Sequence, residues 1–133
     1  MTLALLDLSL PSLDIDEAPT AAVAAAERAL LSSIARTADG PELRAQALVE
    51  LMALEASCGD ELAFERLRHE LVATELAPPV EALFRARVAW GLARFGRLEA
   101  ARRWARIAAL SSDGADLRDW LLELDRLLAL DGR

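Results

Sequence analysis

Apolar residues recur at helical spacing through most of this chain and alternate strictly with polar ones only at its start. Over residues 1–19, Leu6, Leu8 and Leu10 alternate with Asp7 and Ser9, and Leu13 and Ile15 alternate with Asp14 and Asp16. Pro11 separates the two runs. A period of two broken by proline predicts an extended or flexible segment. From Thr20 onward the period lengthens. Val23, Leu30, Leu31 and Ile34 supply bulk to a first helix over 20–37, capped by Thr20. Its alanines, Ala21, Ala22 and Ala24 to Ala26, leave room for a close neighbour. Asp39-Gly40-Pro41 ends that helix and opens the next, with Pro41 at a favourable first position. Leu43, Ala47, Leu51 and Leu54 recur at i, i+4, i+8 and i+11 and predict a second helix over 41–57.

A third helix is expected over 60–76, with Asp60 as cap, Phe64, Leu67 and Leu71 inward, and Ala77-Pro78-Pro79 as its stop. Residues 80–112 read as two helices folded back on each other at Gly96. Small residues (Ala89, Ala101, Ala105 and Ala108) stand where their axes would touch. A sixth helix over 115–130 gathers Leu117, Trp120, Leu121, Leu124, Leu127 and Leu128 on one broad apolar face. Every connection is short, so successive helices should pack antiparallel.

Composition agrees with this pattern. Of 133 residues, 28 are Ala and 27 are Leu, the strongest helix formers, and Tyr, Asn and Lys are absent. The expectation is an all-α fold of about six antiparallel helices, with residues 1–19 as an N-terminal segment and 20–133 as one domain. The single cysteine, Cys58, cannot form an internal disulfide and fits a reducing, cytoplasmic setting. No His or Arg stands near it in sequence, so it reads as a small helix-end residue and not a reactive thiol. The N-terminus lacks the basic region of a secretory signal, and no window approaches the roughly 20 apolar residues of a membrane span.

The residues around Gly96 resemble a tetratricopeptide repeat (TPR), a helix–turn–helix unit of binding scaffolds. With Gly96 as the turn glycine, Val88 and Ala89 fall where that family has its Leu-Gly pair. Leu92 and Leu98 take two aromatic positions, and Ala101 and Ala108 the two most restrictive small ones. Arg85 stands in place of the usual Trp, Ala105 in place of a large residue, and Asp113 in place of the closing Pro. Helices 2 and 3 look like an earlier, weaker copy, because Gly59 precedes Gly96 by 37 residues and Leu62 precedes Leu98 by 36. Leu51 and Met52 match Val88 and Ala89, but Glu55 replaces the apolar Leu92. The resemblance implies a right-handed α-solenoid segment closed by helix 6 as a capping helix. A compact six-helix bundle is the structural alternative.

Charge is segregated along the chain. Residues 1–84 carry a net −10, residues 85–106 a net +6 and residues 107–133 a net −3, and all fifteen basic residues are Arg. The ordinary consequence is that the basic stretch pairs with acidic neighbours on solvent faces. The TPR resemblance implies a second use. The first helix of such a repeat lines its concave face, here through Leu83, Ala86, Arg87, Trp90, Ala93 and Arg94. Leu83, Arg87, Trp90 and Arg94 are the expected partner-binding residues, an indole between two guanidinium forks that would grip an acidic–apolar peptide or helix. The acidic segment around Leu13 and Ile15 has the composition such a groove would accept.

Other chemistries rank below. The basic island is small within an acidic protein, so nucleic acid is not an expected partner, and neither is a membrane. There is no P-loop, no dinucleotide fingerprint and no metal-ligand spacing, and His69 between Glu65 and Glu70 reads as solvated or salt-bridged. No catalytic, cofactor-binding or metal-binding residues are expected. The leading expectation is a cytoplasmic bacterial adaptor or chaperone. In size, acidity and repeat type it resembles the TPR-class chaperones of type III secretion. The alternative is a structural or regulatory homo-oligomer, for instance a homodimer, assembled through the N-terminal segment and helix 1.

Overall fold

The computed structural model of the protein describes residues 18–110 and 114–131, and among them every regular element is a helix. The order is α1 (Ala21–Thr37), α2 (Pro41–Ser57), α3 (Glu61–Val72), α4 (Pro78–Arg94), α5 (Leu98–Leu110) and α6 (Ala115–Asp131). The all-α expectation holds. The extended segment expected over 1–19 lies almost wholly outside the described residues, as do positions 111–113. None of the described helices is long and apolar enough to cross a membrane.

Local chemistry accounts for most boundaries. The Thr20 hydroxyl accepts from the Val23 N–H at 3.2 Å, and the Asp60 carboxylate accepts from the Ala63 N–H at 3.0 Å. Each thereby satisfies one of the donors that a helix start leaves open. Gly59 and Gly96 both adopt positive φ, +82° and +77°. At each, the glycine N–H reaches the carbonyl three residues back, Ala56 or Ala93. The following N–H, of Asp60 or Arg97, reaches the carbonyl five back, Glu55 or Leu92. α2 and α4 therefore end in the same left-handed glycine motif.

Two boundaries differ from expectation. α3 stops at Val72 instead of Leu76, where Thr74 turns its hydroxyl back onto the Glu70 carbonyl at 2.8 Å. Pro78 and Pro79, expected to stop α3, form the first turn of α4. A first turn has no use for those N–H groups, and proline already holds the helical φ.

The core lies around an inner pair. Eight residues of α2 and ten of α4 are buried, against one of α1, three of α3 and four of α5, so α2 and α4 form the interior on which the other helices lean. α2 packs against α1, α3 and α4, α4 also carries α5, and α5 carries α6. Ala101, Ala105 and Ala108 are fully buried and bring α5 close to α4. The two hairpins approach closely at Gly91. A Cβ there would stand 2.4 Å from Phe64 Cε1, so the Phe64 ring of α3 lies on bare α4 backbone. Phe64 also packs on Phe95, with centroids 5.4 Å apart. On α6, Leu121, Leu124 and Leu128 are buried and Leu117, Trp120 and Leu127 half-buried, as the sequence pattern required.

α1 departs from its expected role. Val23 and Leu30, expected to supply bulk to the core, are 47% and 60% exposed, and only Ala24 is buried. Among the described residues, this helix packs mainly against α2.

Candidate functional site

Arg87, Trp90 and Arg94 do share a face of α4, as their spacing implies, but two of the three side chains are committed to α2. Arg87 is 3% exposed and makes a two-pronged pair with Glu50 of α2, Nε to Oε2 at 2.8 Å and Nη2 to Oε1 at 2.9 Å. Arg94 donates to the Ala56 carbonyl at 2.9 Å and the Ser57 carbonyl at 2.7 Å. A cation there satisfies carbonyls that the end of α2 leaves open and lies at the negative end of its dipole. The same guanidinium stands 5.9 Å from the centroid of the buried Trp90 ring. Leu83 is half-buried one turn earlier.

The expected grip on a peptide, an indole between two guanidinium forks, would have to compete with these contacts to α2. The forks are engaged by a carboxylate and carbonyls 37 to 38 residues upstream. Helical spacing places three residues on one face but carries no information about which helix will lie over it.

Most other arginines of the basic stretch are paired too, nearer the surface. Arg85 pairs with Glu81, Arg97 with Glu61 at 2.8 Å, and Arg102 and Arg106 both reach Asp125 of α6, at 2.9 and 3.5 Å. Glu55, which interrupts the apolar pattern of α2, is explained by Arg28 of α1. Arg28 donates to it from Nε at 3.1 Å and from Nη2 at 2.8 Å. The hydrogen bond and the charge of Glu55 raise the Arg28 pKa above its ordinary value. Arg28 Nη2 also lies 3.6 Å from Cys58 Sγ. The sequence holds no arginine near that thiol; the fold brings one. His69 is exposed, and its neighbour Glu65 turns instead to Arg68.

An open concavity lies elsewhere. A groove of about 720 Å³ runs between α3 and α5. Its floor and apolar walls are Leu92 of α4, Ala100 and Trp104 of α5, and Leu62 of α3, which is 80% exposed. Phe84 packs on Trp104 in a T-shaped contact, with ring centroids 6.4 Å apart. Glu61, Glu65 and Arg68 rise along the α3 side and Arg97 at the start of α5. The Glu61–Arg97 pair joins the two sides at one end.

Sequence reasoning did not find this groove. One signal was present: Leu62 is out of phase with the inward Phe64, Leu67 and Leu71, so it had to point away from the core. Taking Leu62 as the counterpart of Leu98 concealed it. Arg97 had been seen only as part of a basic stretch.

No protein-family model, curated protein or solved structure matches this chain.

Proposed function

We propose that this chain is a non-catalytic protein-interaction module, an adaptor or chaperone, that holds a helix of another protein between α3 and α5. The observation that carries this reading is the 720 Å³ groove, with its apolar floor and an almost fully exposed leucine at its edge. Covering a side chain such as Leu62 contributes about 1.5–3 kcal/mol, and Trp104 adds a rigid aromatic surface beneath the occupant. The charged rim contributes selectivity more than affinity.

The walls decide the form of the occupant. Both are helices whose backbone donors and acceptors are used internally, so they offer no free ladder to an extended strand. A helix arrives with its own backbone hydrogen bonds made and needs only side-chain contacts. Repetition supports the same reading, because the α2–α3 and α4–α5 hairpins turn through the same glycine motif, as stacked TPR-like units would. The lone Cys58 and the absence of Lys fit a bacterial cytoplasm.

A second reading, self-association through α1, rests on the outward Val23 and Leu30 with Ala22, Ala26 and Ala29 exposed between them. One experiment separates the two. A photoreactive residue is placed at position 62 or at position 30 of the full chain, and crosslinks are formed in source-cell extract. A different protein captured from position 62 and not from position 30 supports the groove. Crosslinks only between copies of this chain, formed from position 30, would replace it with the second reading.

A further inference from the structure

We propose that the outward face of α1 is the docking site of the chain's own N-terminal segment, residues 3–15, which covers it in cis. Val23 and Leu30 stand outward on that face, with Ala22, Ala26 and Ala29 exposed between them. These residues recur at successive helical turns, so one elongated apolar occupant can follow them. α5 has a helix on each of two sides, α4 and α6, whereas α1 packs mainly against α2. The face shares no residue with the groove between α3 and α5.

Attachment, length and pattern select the occupant. Residues 1–17, outside the described ones, lead through Ala18 and Pro19 into Thr20, the N-cap of α1. The helix is about 25 Å long, and about eight residues of extended chain span that distance, so the segment reaches its far end with residues to spare. Leu13 and Ile15 alternate with Asp14 and Asp16, so extended chain turns its apolar side chains to α1 and its carboxylates to water. Water also remains within reach of the segment's backbone groups on this open face, which a strand buried between two helices would lack. The tether decides between this segment and a second copy offering similar contacts. A short flexible link gives an effective concentration on the order of millimolar, about a thousandfold above a second copy at micromolar concentration. The face that self-association would use is thereby occupied by the same molecule, and drawing the segment away would free it.

The test uses the purified full chain with a photoreactive leucine analogue at position 30. Isotopically light and heavy chains are mixed in equal amounts at low micromolar concentration and illuminated, and the crosslinked peptides are mapped by mass spectrometry. Position 30 should join residues 3–15 in light–light and heavy–heavy products only. In Leu13→Asp/Ile15→Asp the yield should fall roughly tenfold or more, whereas Ser12→Asp, on the other side of the extended chain, should leave it nearly unchanged. Circular dichroism checks that each chain is folded, and the same analogue at position 23 serves where position 30 does not tolerate it. Mixed light–heavy products between α1 and residues 3–15, or between two α1 helices, overturn the proposal in favour of self-association. It is also overturned if position 30 or 23 never reaches residues 3–15, if Ser12→Asp lowers the yield as much as the double variant, or if the segment is captured instead from a photoreactive residue at position 62. Only that last result would bear on the groove, so the two readings fail separately.

Discussion

α4 and α5 are neighbours of similar composition, Ala-rich and with three arginines each, yet two of the three on α4 are used in a way that none on α5 is. On α4, Arg87 and Arg94 are turned onto α2, one to the Glu50 carboxylate and one to the carbonyls at its end. On α5, Arg102, Arg103 and Arg106 stay at the surface, two of them sharing Asp125 and one exposed. α4 has neighbours on several sides, whereas α5 keeps one open flank. A cation beneath another helix becomes a tie of the fold. The same residue on an open flank remains available for recognition.

The sharpest way to break this contrast is to remove one carboxylate from each class. Glu50→Ala removes the two-pronged carboxylate partner of the buried Arg87 guanidinium and should cost about 3–5 kcal/mol in urea unfolding. Glu61→Ala removes only the exposed partner of Arg97 and should cost under about 1 kcal/mol. Equal losses would mean that Arg87 reaches water in solution and that the inner and outer arginines do not differ.

The inner approach can also be tested without touching charge. Gly91→Ala drives a Cβ into the buried Phe64 ring, and the resulting overpacking should lower stability by about 1–3 kcal/mol even though Ala favours the helix. A stabilised protein would show that α3 and α4 can separate freely at this point. Gly59→Ala and Gly96→Ala sharpen the comparison of the two hairpins. Neither added methyl meets another atom within 4 Å, so each substitution pays only the left-handed backbone cost of about 1–2 kcal/mol. The two melting shifts should be nearly equal. A marked difference would show that the hairpins are alike in outline only.

The smallest effect is expected at the exposed extreme. The hydrogen bond from Arg126 lowers the Glu123 pKa below its ordinary value. A lowered folded-state pKa means that the stabilisation is present above the ordinary glutamate range and fades as pH falls through the lowered value. An NMR titration of Glu123 in Arg126→Ala should therefore move upward, with hardly any change in unfolding.

Much of the fold was legible because helix ends are local events. Thr20 and Asp60 as caps, Pro41 as a first residue and the glycines at 59 and 96 all act through groups within five residues of themselves. α5 was legible in orientation as well, since Ala101, Ala105 and Ala108 keep to one side and charge keeps to the other. α4 was not. Its residues from Ala86 to Ala93 are all buried, so apolar spacing selects no single face, and Arg87 sits within that run. The groove escaped notice for a related reason, because its residues come from α3, α4 and α5 and no one segment of sequence contains it.

What the amino-acid order determined alone, then, was the number of helices, nearly all their ends and the two glycine turns, because backbone sterics and capping hydrogen bonds operate over a single turn. What only the tertiary structure decided was the partner of each charge and the side left open. Glu50 meets Arg87, Glu55 meets Arg28 and Glu61 meets Arg97 across 27 to 37 residues of chain. Such pairings depend on how whole helices pack, and the burial that makes one of them costly to break exists only once that packing is complete.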